Sequence, residues 1–200
     1  MDSTNRFQLD TLLDDLDMDN PIQVLRAVRE IEQFQESAIP ILLDAIAAQP
    51  DQMKRVLVGL LATYSQNHYD LRLVTPMIGL LSAKDPIVAT RAFHTLEVFI
   101  ETIWRDLLPA LPTCNSLVKL QILQALQQVQ DSRLVEHMVN HLPDIKSPSE
   151  RYMTIELLGK VAPIGDAKVI ALIASYRDDP DHHVQSRVNR ALMRLTAPLE

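Results

Sequence analysis

Six times along this chain a polar residue stands before proline, or once before serine, at the head of an apolar helical run. The marks are Asn20-Pro21, Gln49-Pro50, Asp85-Pro86, Asn115-Ser116, Ser147-Pro148 and Asp179-Pro180, at steps of 29, 36, 30, 32 and 32 residues. A period in this range signals stacked helical repeats. Asn, Asp and Ser side chains accept hydrogen bonds from the N–H groups that a helix start leaves unpaired. Proline suits the next position, where its missing N–H costs nothing and its φ is already helical.

Registering the chain on these marks aligns the first helix of each unit. Six and seven residues past the mark lie Arg26-Ala27, Arg55-Val56 and Arg91-Ala92; Ile31, Leu60 and Leu96 lie eleven past it. Later units place Ile122 and Leu126, then Met153, Thr154 and Leu158, then Arg187, Val188 and Leu192. The second helices repeat an i, i+3, i+4, i+7 apolar set: Ile39, Leu42, Leu43, Ile46; Val74, Met77, Ile78, Leu81; Trp104, Leu107, Leu108, Leu111; Val135, Met138, Val139, Leu142; and Val169, Leu172, Ile173, Tyr176. That spacing puts one buried stripe on each helix. No pair buries its stripe alone, so neighbours must stack. The expected fold is all-α: a solenoid of about six stacked antiparallel helix pairs, the last incomplete, occupying residues 20–200 as a single domain.

Only four glycines and one cysteine, Cys114, occur, which disfavours a phosphate-cradling loop and a disulfide framework. No apolar stretch approaches the ~20 residues of a membrane span. The polar start MDSTNRFQLD lacks the apolar centre of a signal peptide, so a cytoplasmic setting is expected. The net charge of −7 is uneven, with −5 carried by residues 1–20 and −2 by the rest. This nearly neutral body disfavours general nucleic-acid binding without excluding a local basic stripe. Phe7, Leu9, Leu12, Leu13 and Leu16 make residues 1–19 either an acidic capping helix over the first repeat or a docking peptide.

Helix pairs with this period and punctuation resemble HEAT repeats, and the clearest units resemble the HEAT-like repeats of the phycobilisome lyase family. Asp179-Pro180-Asp181, Val184, Arg187 and Ala191-Leu192 match that unit; Asp85-Pro86, Val88, Arg91 and Leu96 match in part. The family's glycine after Ala-Leu is replaced by Met193, and only Leu157-Leu158-Gly159 keeps that ending. The resemblance implies the fold and, as one possibility, a lyase-type or chaperone subunit handling a bilin, with Arg105 and Arg72 available to its propionates.

Candidate chemistry is sparse. Asp15, Asp17, Asp19 and Ile22 have calcium-loop spacing, but Asn20 stands where glycine is needed and Arg26 where the bidentate acid belongs. His137 and His141 share a helix face with no evident third ligand, and His182-His183 sit beside Asp178, Asp179 and Asp181 in a polar segment. Cys114 precedes a helix start without a base nearby, and Trp104 begins a core template. Arg26, Arg55, Arg91 and Arg187 form either a basic ladder or a set of pairs with acids of neighbouring repeats. No catalytic, metal or cofactor set is expected.

The function expected is a non-catalytic protein–protein interaction module (adaptor, scaffold or chaperone). Stacked pairs present a concave surface lined by second helices. There Arg105, Asp106, Glu136, His137, Asn140 and His141 fall between the apolar positions and are the candidate binding residues. The partner expected is another protein, with no membrane involved. A bilin-handling subunit is the alternative, and a HEAT-like DNA glycosylase is disfavoured by the near-neutral charge and the scarcity of aromatics.

Overall fold

The computed structural model describes residues 3–16, 21–49 and 51–198. Their regular structure is helical throughout, and no strand occurs among the described residues. The chain divides into two compact units, Met1–Phe99 and Ile100–Glu200. The first holds α1 (Ser3–Leu16), α2 (Pro21–Glu32), α3 (Ile39–Ala48), α4 (Asp51–Ser65), α5 (Val74–Leu80) and α6 (Pro86–Glu97). The second holds α7 (Ile100–Leu107), α8 (Ser116–Ala125), α9 (Ser132–His141), α10 (Pro148–Val161), α11 (Ala167–Ala174) and α12 (His182–Leu195).

The punctuation caps helices as its chemistry dictates. Asp85 accepts from the Ile87 N–H at 2.9 Å, Asn115 from Val118 at 3.0 Å and Ser147 from Glu150 at 3.4 Å. Asn20 and Pro50 lie outside the described residues, as do Asp17 and Asp19 of the calcium-loop spacing. The sixth mark differs. Helix α12 is capped by Asp181, which accepts from His183 and Val184, while Asp179 is drawn into an ion pair with Arg151. Two aspartates flank Pro180, and the charged pairing decides which one caps.

In the first unit α4 packs on α2 and α6, and in the second α10 packs on α8 and α12. The core follows the register: Ala27, Ile31, Leu60, Ala92, Leu96, Ile122, Leu126, Leu158, Val188 and Leu192 are buried. Helix α1 rests on α2 and α3 with Leu9, Leu12 and Leu16 buried and Phe7 exposed. The second-helix sets are buried at their inner positions, whereas Leu43, Val74, Ile78 and Leu172 are half-buried. Tyr176 lies beyond the end of α11, and its hydroxyl donates to the Leu142 carbonyl at 3.3 Å.

Two of the four laddered arginines pair with an acid of a neighbouring repeat. Arg55 reaches Asp85, the cap of α6, at 2.5 Å, and Arg187 reaches Glu156 of α10 at 3.1 Å. Arg91 instead donates to the Arg55 carbonyl, and Arg26 pairs with Glu30 on its own helix. These arginines brace neighbouring helices more than they form a free ladder.

Helices α10 and α12 approach closely because Gly159 has no side chain. A Cβ there would fall 2.6 Å from the Ala191 Cβ and 3.0 Å from its Cα. The approach lets Arg194 donate to the carbonyls of Gly159 at 2.7 Å and Ala162 at 2.8 Å, which the end of α10 leaves without helical partners. Gly159→Ala is expected to destabilise the protein by about 1–3 kcal/mol through overpacking, and Ala191→Gly in the same chain to restore part of it. A denaturant melt unchanged by Gly159→Ala would show that the helices are not held this close.

Candidate functional site

The site begins with a helix that stops early. The third second-helix template reads as one helix from Trp104 to Leu111, but α7 ends at Leu107 and continues as a 3-10 segment, Leu108–Thr113. Pro109 and Pro112 supply no N–H to an α-helical ladder, and the tighter coil follows. At three residues per turn, Leu108 and Leu111 fall on one face. Both are buried, as is Trp104.

Beside this segment runs α9, started by Asp131, whose carboxylate accepts from the Arg133 N–H at 2.9 Å. The same carboxylate takes Arg105 Nη2 at 2.7 Å and Arg133 Nη2 at 2.9 Å. The hydrogen bonds from Arg133, then the charge of Arg105, hold the Asp131 carboxyl below the ordinary aspartate range. The Arg105 guanidinium also lies 4.4 Å from the Trp104 ring centroid, a cation–π contact.

Between these elements opens a groove of about 540 Å³, with Trp104, Leu108 and Leu111 below and Pro109, Pro112, Arg105, Arg133, His137 and His141 around it. It gathers three of the six residues expected from the sequence: Arg105, His137 and His141. Asp106, Glu136 and Asn140 are exposed on α7 and α9 but do not line it. Arg133 escaped the sequence reading, although its position two residues after an aspartate helix cap is the signal that would have found it.

The His137 and His141 ring centroids lie 6.4 Å apart. Partial burial, then the neighbouring His141, lowers the pKa of His137 from its ordinary 6.5, which favours the neutral ring at neutral pH. Among the described residues no group of three His, Cys, Asp or Glu side chains could hold a metal ion. Burial pushes the Cys114 thiol up, and its Sγ donates to the Ala110 carbonyl at 3.1 Å, so it serves the 3-10 segment as a protonated thiol. The His182 and His183 rings lie tilted to one another with centroids 4.0 Å apart in the first turn of α12. Arg72 belongs to the first unit and is held by Asp70 at 2.5 Å, so each arginine considered for a propionate already has a carboxylate.

First helices packed on one another and braced by arginines, each followed by a second helix, define an all-helical repeat fold. No protein-family model and no curated protein matches the chain. Among solved structures, the crystal structure of an engineered protein, a structural genomics target, is similar with a TM-score of 0.51 at 17% identity, covering 94% of this chain and 96% of that one. That likeness bears on the fold alone. Human deoxyhypusine hydroxylase, in complex with glycerol, aligns over 96% of this chain and 97% of its own at 14% identity with a TM-score of 0.37, too distant to bear on fold or function. No helix among the described residues is long and apolar enough to cross a membrane.

Proposed function

We propose that this chain is a non-catalytic protein-interaction module and that the groove between the 3-10 segment and α9 takes a segment of its partner. The observation that carries the reading is the convergence of Arg105, Arg133, His137 and His141 around an apolar floor. Such a groove suits one apolar side chain of a peptide, with its backbone carbonyls received by the arginines. Asp131 fixes both guanidinium groups beforehand, so less freedom is lost on binding.

The test pairs melting with capture of partners from the native cell by the tagged protein. Arg105→Ala and His137→Ala are expected to shift stability by no more than ~0.5 kcal/mol. Each should nonetheless abolish capture, since truncating a hot-spot residue costs ~2 kcal/mol or more. Gln124→Ala, on exposed α8 surface, should keep it. Capture lost with Gln124→Ala and retained with the groove variants would refute the assignment. No absorbance change is expected on mixing with a free bilin; a shift would favour the lyase-type alternative.

A further inference from the structure

The chain is acidic overall, yet its last described helix carries the opposite sign. Helix α12 reads HHVQSRVNRALMRL, with three arginines and no acid. His183, Arg187, Arg190 and Arg194 follow one another at steps of four, three and four residues, which places them on one helix face. At 1.5 Å per residue the stripe runs about 16 Å.

That face borders α10 along two adjoining depressions that share Arg187 and Arg190. One, of about 370 Å³, adds Ser149, Tyr152, Asp181, His183 and Ser186. The other, of about 220 Å³, adds Glu156, Gly159, Lys160, Ala191 and Arg194. Two acids therefore face three arginines and a lysine, and both acids are engaged. Glu156 holds Arg187, and Asp181 caps the helix. Arg187 is further fixed by the Tyr152 hydroxyl at 3.3 Å, with its guanidinium 4.8 Å from the ring centroid. Arg190 and Lys160 are exposed and have no ion-pair partner among the described residues.

We propose that the α10–α12 groove docks an acidic peptide segment of a partner protein, its carboxylates received by Arg190, Lys160 and the outer edges of Arg187 and Arg194. The length of the stripe fits about five extended residues. Nucleic acid fits less well. The Tyr152 ring is covered by Arg187 and offers no stacking platform, and the regularly spaced phosphates of a nucleic acid would have to pass Glu156 and Asp181, whereas a peptide can set an uncharged residue opposite each acid. The chain's own acidic helix is a poorer occupant, because Leu9, Leu12 and Leu16 already seat α1 in the first unit.

The experiment titrates the full chain into a fluorescent ten-residue peptide rich in Asp and Glu, and into its Asn/Gln counterpart. The acidic peptide should bind at least about tenfold more tightly, an affinity that salt weakens. Arg190→Glu combined with Lys160→Glu should remove that preference, whereas Arg177→Glu, an equal change per site elsewhere on the surface, should leave it. Should the double variant melt early, Arg190→Gln alone should still weaken binding. Equal binding of the two peptides, or equal loss with Arg177→Glu, would overturn the proposal. Tighter binding of a short DNA duplex would assign the groove to nucleic acid instead. Concentration-dependent self-association abolished by Arg190→Glu would assign it to a second copy.

Discussion

Leu107→Ala is expected to destabilise the second unit by about 2–5 kcal/mol, the range for truncating a fully buried leucine. Leu107 is 0% exposed and is the last residue of α7 before the coil tightens at Leu108. Its loss removes apolar contacts and leaves a space that Pro109 and Pro112 resist filling, because the 3-10 segment they impose cannot slide as a regular helix would. Asp106, the preceding residue, is exposed, and Asp106→Ala should stay within ~0.5 kcal/mol. Urea denaturation followed by circular dichroism compares the two. Because the chain divides into two compact units, the Leu107 variant should also broaden or split the transition. A Leu107→Ala change as small as that of Asp106→Ala would remove Leu107 from the core.

This contrast shows where the sequence was legible. Apolar spacing separated Leu107 from Asp106 because burial on a helix follows the 3.6-residue period. The caps at Asp85, Asn115 and Ser147 were legible for a similarly local reason, since a cap depends on its own side chain and the N–H groups just after it. The groove was half legible. Spacing identified Arg105, His137 and His141 as lying off the apolar stripe, but the groove exists because two prolines convert the end of a helix to 3-10 geometry. An i, i+3, i+4 pattern does not distinguish those coils over one turn. Asp106, Glu136 and Asn140 satisfied the same periodicity test yet lie outside the groove, for the test reports exposure and not convergence. Of the α12 stripe the sequence reading singled out Arg187 alone; Arg190 and Arg194 follow it at helical spacing, but their companion Lys160 comes from another helix and only packing brings it near.

Arg151 was illegible for a related reason, and it carries the second large effect. It lies four residues past its mark, not the six of Arg55 and Arg91, so it falls outside the arginine register. Yet it makes the most enclosed ion pair found among the described residues. Nε meets Asp179 Oδ2 at 2.8 Å and Nη2 meets Oδ1 at 3.0 Å, with side chains 13% and 4% exposed. Asp179 also accepts from the Asp181 N–H at 3.0 Å, so the pair fixes the entry to α12. Arg151 donates as well to the Lys146 carbonyl at 2.6 Å, just before α10. Asp179→Ala should therefore cost about 3 kcal/mol, because removing one partner leaves the other charge enclosed and unmet. Arg151→Ala should cost a similar amount, and the double variant less than the two together. The Arg151 hydrogen bonds hold the Asp179 carboxyl below its ordinary value of 3.8. Its contribution is then fully present above that value and is lost as pH falls through the lower folded-state value. Wild type should accordingly lose stability in that acid window more steeply than Asp179→Ala, which has no such carboxylate to protonate. Parallel acid titrations of the two proteins would refute the pairing, as would additive single-variant losses.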